Sequence, residues 1–245
     1  MAERSREGSA AKGSGRGAAR PRRAAPLTND EWSAATIDGL VRLARREFAR
    51  HGYGGASVDR IAAAAKLTKG AVYYHFHSKA GLFEAVLRQV QRDLSARIEA
   101  SAGRRREPLA AVHAGCEAFL ELAIDDELRQ IVLTDGPAVL GWSKWRAIDA
   151  EHGLGSLKEG LRVCHAAGAL AVAAADVDVL AHWLSGAMNE AVFMIAEATD
   201  RTRALTEAKR ALSTLLSGLT EPPPESAPPG PRAGRRRPAV PPKAP

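Results

Sequence analysis

Residues 57–79, SVDRIAAAAKLTKGAVYYHFHSK, set two short helical patterns on either side of a two-residue break, and that arrangement restricts the fold more than any other stretch of the chain. Ser57 is a good N-cap, and Val58, Ile61, Ala62 and Ala65 follow at i, i+3, i+4 and i+7, the buried stripe of a short helix. Lys66 and Leu67 form the turn. Thr68 caps the second helix, where Val72 and Phe76 lie four apart on the inner face, while Lys69, Tyr73, Tyr74 and His75 point elsewhere and leave a basic, aromatic outer face.

A helix-turn-helix presents the first part of its second helix to the major groove of double-stranded DNA. Gly70 and Ala71 are small enough to let the backbone approach a duplex, exposed N-terminal amides favour a phosphate, and Lys69 adds a mobile positive charge. With its preceding helix the stretch resembles the DNA-binding domain of the TetR family of transcriptional regulators. The likeness covers residues 36–86 and includes Phe48, His51-Gly52-Tyr53, Ser57-Val58, Ile61-Ala62, Lys69-Gly70, Tyr73, His75-Phe76 and Ser78-Lys79. The resemblance implies that Ser57, Tyr73 and Lys79 touch phosphates and that Lys69, Ala71, Tyr74 and His75 face the groove. For single residues a plainer reading stands beside it: Tyr73 as packing at the edge of the core, His75 as a solvated helix end.

The chain departs from the family pattern in two places. Lys66 occupies a turn position usually held by glycine and must accept a left-handed conformation or alter the turn slightly, at about 1 kcal/mol. Ala80-Gly81 replaces the acidic residues usual after Ser-Lys, so the next helix lacks a capping box and is expected to fray.

The whole chain of 245 residues is 45% hydrophobic but only 5% aromatic, and its remainder reads as Ala-, Leu- and Val-rich helices with almost no strand signal, an all-α chain. The net charge of +7 lies in the ends. Residues 1–27 hold seven Lys or Arg against two Glu, residues 221–245 hold five against two, and the middle carries −1. Cys116 and Cys164, the 2 cysteines, have no metal-ligand spacing, so neither a zinc site nor a disulfide framework is expected, and no cofactor is implied. No apolar run reaches the about 18 residues of a transmembrane helix, and the charged start lacks a signal-peptide core, so a cytoplasmic protein without membrane contact is expected.

In chain order, residues 1–27 are too poor in large apolar side chains to offset the entropy of ordering and are expected to be a disordered basic tail, with Arg20 to Arg23 reaching phosphates or else simply solvated. Residues 28–80 form the helix-turn-helix domain, opening with a helix from near Asn29 or Asp30 to the His51-Gly52 turn, its face carrying Ile37, Leu40, Val41, Ala44 and Phe48. Residues 81–220 form a helical effector-binding and dimerisation domain. In it a long helix capped by Ser78 runs to about Ala100 with the stripe Phe83, Val86, Leu87, Val90 and Leu94, connecting the two domains. After a break at residues 103–108, Asp125-Asp126 starts a helix that Gly136-Pro137 must end or kink. Residues 221–245 are a Pro-rich basic tail in which Arg235-Arg236-Arg237 add nonspecific DNA affinity.

Trp142 and Trp145 stand among Asp135, Arg146, Asp149, Glu151 and His152, and aromatics beside a few polar groups can make a pocket; ordinary core with surface charges is the alternative. The expected ligand is an apolar or amphipathic small molecule held by Phe119, Trp142, Trp145, Trp183 and Met188, with Asp135 or Asp149 orienting it. Residues 177–198 are apolar almost all round, and residues 202–219 carry a leucine stripe. The resemblance implies that this pair meets its copy in a second subunit as a four-helix dimer interface, with Leu180, Leu184, Ala187, Ala191, Leu212, Leu215 and Leu216 as candidates; burial within one large monomeric core is the alternative.

The implied function is a homodimeric regulator, in this family most often a repressor, that leaves a near-palindromic operator when a small-molecule effector binds. An enzyme is not expected, since no nucleophile–base pair, phosphate loop or metal-spaced cluster is present. Redox control at Cys116 or Cys164, or an architectural role for the basic tails, remains as the rival without an effector.

Overall fold

A computed structural model describes residues 34–220, all of whose regular elements are helical. The expected helix onset at Asn29 or Asp30, the Arg20 to Arg23 cluster and the tail carrying Arg235 to Arg237 lie outside the described residues.

The decisive turn closes as a Schellman motif. Helix α2 (Val58–Ala64) ends at Lys66, whose φ is 58°; Lys66 N donates to Ala63 O at 3.0 Å and Leu67 N to Ala62 O at 2.9 Å. Helix α9 (Gly153–Ala166) ends in the same pattern with Gly168 in the left-handed place, where no Cβ opposes it. Lysine fills that place after α2 at a conformational cost of about 1 kcal/mol. Helix α3 (Lys69–Phe76) then starts on Thr68, whose hydroxyl accepts from Ala71 N at 3.1 Å.

Helix α1 (Ala34–Gly55) backs this pair with Leu40, Val41, Ala44 and Phe48 buried, and its regular backbone breaks at Gly52 (φ 61°, ψ 173°), a conformation that needs glycine. Helix α4 (Lys79–Ala102) completes the unit. Phe48, Tyr53 and Phe83 form an aromatic knot, with Phe83 edge-on to Phe48 at 5.2 Å and to Tyr53 at 5.4 Å. The absence of an acidic side chain at position 81 in the first turn of α4 has a steric cause. A Cβ on Gly81 would lie 2.1 Å from Phe76 O, and Gly81 N instead donates to the Ser78 hydroxyl at 2.9 Å. The turn before it also strains His77, at φ 63°.

Beyond the loop, α5 (Pro108–Leu120) lies along α4 and leads through a 3-10 turn to α6 (Asp126–Arg129), capped by Asp125 accepting from Leu128 N at 3.0 Å. Gly136-Pro137 does not end the chain's helical course, and the expected disturbance takes the form of a change in helix type. Residues Gln130–Asp135 widen into a π-helix and α7 (Gly136–Leu140) continues from it, which accommodates a proline that has no N–H to give. Termination comes at Gly141 (φ 78°), before α8 (Trp142–Ala150). Helices α10 (Val177–Glu197) and α11 (Arg201–Gly218) pack as the last layer. The stretch Ala174–Glu197 is long and apolar enough to cross a membrane by length and composition, an exception to the expectation that no such segment exists, and 28% of its 18-residue window is buried inside the protomer.

Candidate functional site

The outer face of α3 is built by what its neighbours withhold. Val72 and Phe76 fill the core, so Tyr74, 62% exposed, and Lys69 stand out to solvent, with Gly70 beside them and only Thr68 Oγ1 within 4 Å of where a Cβ would be. Lys69 Nζ is not idle: it donates to Asp59 Oδ2 at 2.8 Å, and that carboxylate holds its pKa above the ordinary lysine value. Tyr73 and His75 are half-buried, the latter with its ring 4.7 Å from Phe76. Lys79 Nζ sits 4.6 Å over the Tyr53 ring and 3.4 Å from Gly54 O. The Ser57 hydroxyl accepts from Arg60 N at 3.3 Å, while Ser57 N donates to Glu47, which also holds the Arg60 guanidinium. Ala71 does not face outward. It is buried with Val72, because the 100° step of the helix turns position 71 toward α2.

A cavity of 390 Å³ opens between α4, α5, α8, α9 and α10. Ile98, Val112, Phe119, Leu154, Leu157 and Met188 contribute apolar wall, and Glu99 and Glu159, both exposed, stand among its lining residues. Two glycines let its walls approach closely: a Cβ on Gly160 would lie 2.9 Å from Val112 Cγ2, and one on Gly115 3.2 Å from Ile98 Cγ2. Its buried polar residues are Asp149 and Ser185, 8% and 7% exposed; Asp149 Oδ2 accepts from Arg146 Nη1 at 2.6 Å, and the same nitrogen lies 3.2 Å from the Ser185 hydroxyl. Burial pushes the Asp149 carboxyl above its ordinary value, with the charge of Arg146 and then His152 and His182 opposing that rise.

Phe119, Asp149 and Met188 line this cavity, and the other expected ligand contacts do not. Trp145 is buried behind it, donating Nε1 to Val132 O at 2.7 Å and pressing on Gly136, where a Cβ would lie 2.8 Å from its ring. Trp142 is 66% exposed, and Trp183, 71% exposed, lies on the outer face of α10. Asp135 serves a different purpose: its Oδ2 accepts from Tyr53 N at 2.8 Å, just after the Gly52 break, and so joins the π-helix to α1. Arg45, which drew no attention in the sequence, makes a parallel bond, its guanidinium reaching Asp93 on α4 at 2.6 Å and Glu127 on α6.

On the last two helices, Leu212 and Leu216 point into their own protomer and are buried there, so they are not interface residues; the i, i+4 stripe is the inner one. Leu215 is 60% exposed, Ala187 is exposed, and Leu180, Leu184 and Ala191 are half-buried. Val179, Trp183 and Met194, which the sequence did not mark for this role, stand exposed with Ala187 along one side of α10. Cys116 and Cys164 are both buried, and burial pushes the Cys116 thiol up to about 12.

Residues 40–86 match the model of bacterial regulatory proteins of the tetR family, and residues 109–219 match the tetracyclin repressor-like C-terminal domain. A TetR-family transcriptional regulator of known structure from Pectobacterium atrosepticum is 32% identical with a TM-score of 0.65, the likeness covering 78% of this chain and 100% of that one. The TetC protein of transposon Tn10 from Escherichia coli is 30% identical over 118 residues, 48% of this chain and 59% of that protein. The HTH-type transcriptional repressor SCO4008 from Streptomyces coelicolor is 43% identical over 61 residues, 25% of this chain and 32% of that one. The chain thus spans less than two thirds of the length of these two curated relatives. With both of its halves matched and a regulator of known structure covered from end to end, the chain belongs to the TetR family of bacterial regulatory proteins.

Proposed function

We propose that the protein is a cytoplasmic transcriptional repressor that binds a near-palindromic operator as a homodimer and releases it when a small molecule fills the cavity. The observation that carries this reading is the pairing of an outward α3 face, with Tyr74 and Lys69 exposed, and an apolar cavity walled partly by the far end of the same α4 that begins beside α3. A helix in contact with both can pass a displacement from one to the other. A second route runs from Asp149 along α8 to Trp145, then to Val132 and Asp135 of the π-helix, and across to Tyr53 N.

Arg146, Lys69 and Lys79 differ in what they serve: the first is committed to Asp149 and Ser185, the others stand at the DNA-facing end. A partner copy seated on Val179, Trp183, Met194 and Leu215 would account for the apolar outer face of α10 and α11 and relate two α3 helices by a two-fold axis. Their separation must then be close to one helical turn of DNA, about 34 Å. The burial of both cysteines argues against redox control, because only an accessible thiolate reacts.

Genomic selection of binding fragments followed by fluorescence anisotropy tests the reading. Preference for an inverted repeat over bulk DNA supports it, and indifference to sequence removes it.

A further inference from the structure

We infer that the cavity takes a lipophilic small molecule that carries no negative charge and ends in a hydrogen-bond donor, a hydroxyl, amide or amine, seated on Oδ1 of Asp149. The inference rests on the cavity being the effector site proposed above, and it goes on to say what chemistry that site selects.

The two carboxylate oxygens of Asp149 are differently placed. Arg146 Nη1 occupies Oδ2 at 2.6 Å, whereas no described residue bonds Oδ1, which would stand 3.3 Å from a Cβ on Gly153 in the cavity wall. The missing side chain at residue 153 is what keeps Oδ1 reachable. A buried carboxylate with an unfilled acceptor gains from any donor brought to it, because the low-dielectric surroundings strengthen the bond that forms.

The same surroundings reject an anion. Glu99 and Glu159 are the other acidic residues of the cavity lining, and no Lys, Arg or His is in that lining. Three cationic or protonatable side chains act on Asp149, but none lines the cavity: Arg146 has its Nη1 directed at Oδ2 and at the Ser185 hydroxyl, and His152 and His182 also stand outside the lining. A carboxylate ligand would be buried beside Asp149 without a cation of its own, which costs more than the apolar wall returns. At 390 Å³ the space suits an ordinary small ligand, which the apolar walls grip and Asp149 orients.

The test uses the full chain and four probes built on a ten-carbon chain: decan-1-ol, decylamine, 1-methoxydecane and decanoate, titrated calorimetrically below their aggregation limits. The alcohol and the amine are expected to bind at least about ten-fold tighter than the ether, in which a methyl replaces the donor hydrogen, and tighter again than the carboxylate. In Asp149→Asn, Arg146 keeps the carbonyl oxygen and the amide NH2 turns to the cavity, so the gap between alcohol and ether should close to below about three-fold. Ala111→Phe, on the wall, should abolish binding of all four. Decanoate binding as tightly as decanol, no binding of any probe, or an alcohol–ether gap unchanged in Asp149→Asn would overturn the inference; should that variant not fold, the order of the four probes on the unsubstituted protein decides alone. Operator release is read separately by anisotropy. Probes that bind in the stated order but leave the operator occupied uphold the ligand chemistry and remove the effector role, whereas release by decanoate in preference to decanol does the reverse.

Discussion

Replacing Asp135 by Ala should weaken the joint between the DNA-facing helices and the cavity domain by an amount that the geometry sets. The bond lost is the 2.8 Å acceptance from Tyr53 N, with a charged acceptor and half-buried surroundings. Bonds to charged groups contribute about 1.5–3 kcal/mol, and partial exposure lets water re-satisfy the amide, so the lower end applies: about 1.5 kcal/mol. In a chain of this size that lowers Tm by about 3–6 °C. Asp135→Asn keeps an acceptor and should lose less than half as much. Urea titrations of the two variants, followed by circular dichroism, measure both values. If the joint is also made preferentially in the DNA-competent conformer, operator affinity falls by the same free energy, about ten-fold. Equal stability of Asp135→Ala and the parent, or equal losses in Ala and Asn, would refute the assignment of Asp135 as a joint.

Further expected outcomes concern the two ends of the molecule. Lys69→Ala should weaken binding to every sequence and reduce the salt slope by about one unit, whereas Tyr74→Ala should alter which operator is preferred; anisotropy over a salt series on operator variants separates them. Gly81→Ala puts a methyl 2.1 Å from Phe76 O, a backbone atom that cannot swing aside, and should cost about 3 kcal/mol or more by denaturant titration. Trp183→Glu, on a residue 71% exposed in the protomer, should shift the protein to monomer in sedimentation velocity while leaving its helical content unchanged.

The helix-turn-helix was legible because its determinants are local. Ser57, Thr68 and Ser78 each cap the helix that their position in the chain announces, and Val58, Ile61 and Val72 reach the core that their spacing predicts. Ala71 misled because small size suits both a close approach to DNA and a tight helix contact, and spacing over eight residues does not separate the two. The cavity was less legible for a complementary reason. A search for rare aromatics finds Trp142, Trp145 and Trp183, yet the walls are mostly small and aliphatic residues from five helices, and Gly115 and Gly160 set how closely those helices pass. Trp145 has its indole partner at Val132 O only because Pro137 sits where the helix widens into a π turn, a long-range consequence that periodicity does not encode. On α11 the leucine stripe was visible, but a stripe names a buried face without naming what buries it, and Leu212 and Leu216 proved to face their own protomer.

Sedimentation equilibrium of the protein with a single duplex carrying the selected inverted repeat tests the central claim most directly, since it counts protomers on one site. Two protomers per duplex, with no comparable complex on a duplex holding one half-site, is the result expected of paired α3 helices set one turn of DNA apart. A single bound protomer, or equal binding to a scrambled duplex at moderate ionic strength, would contradict it.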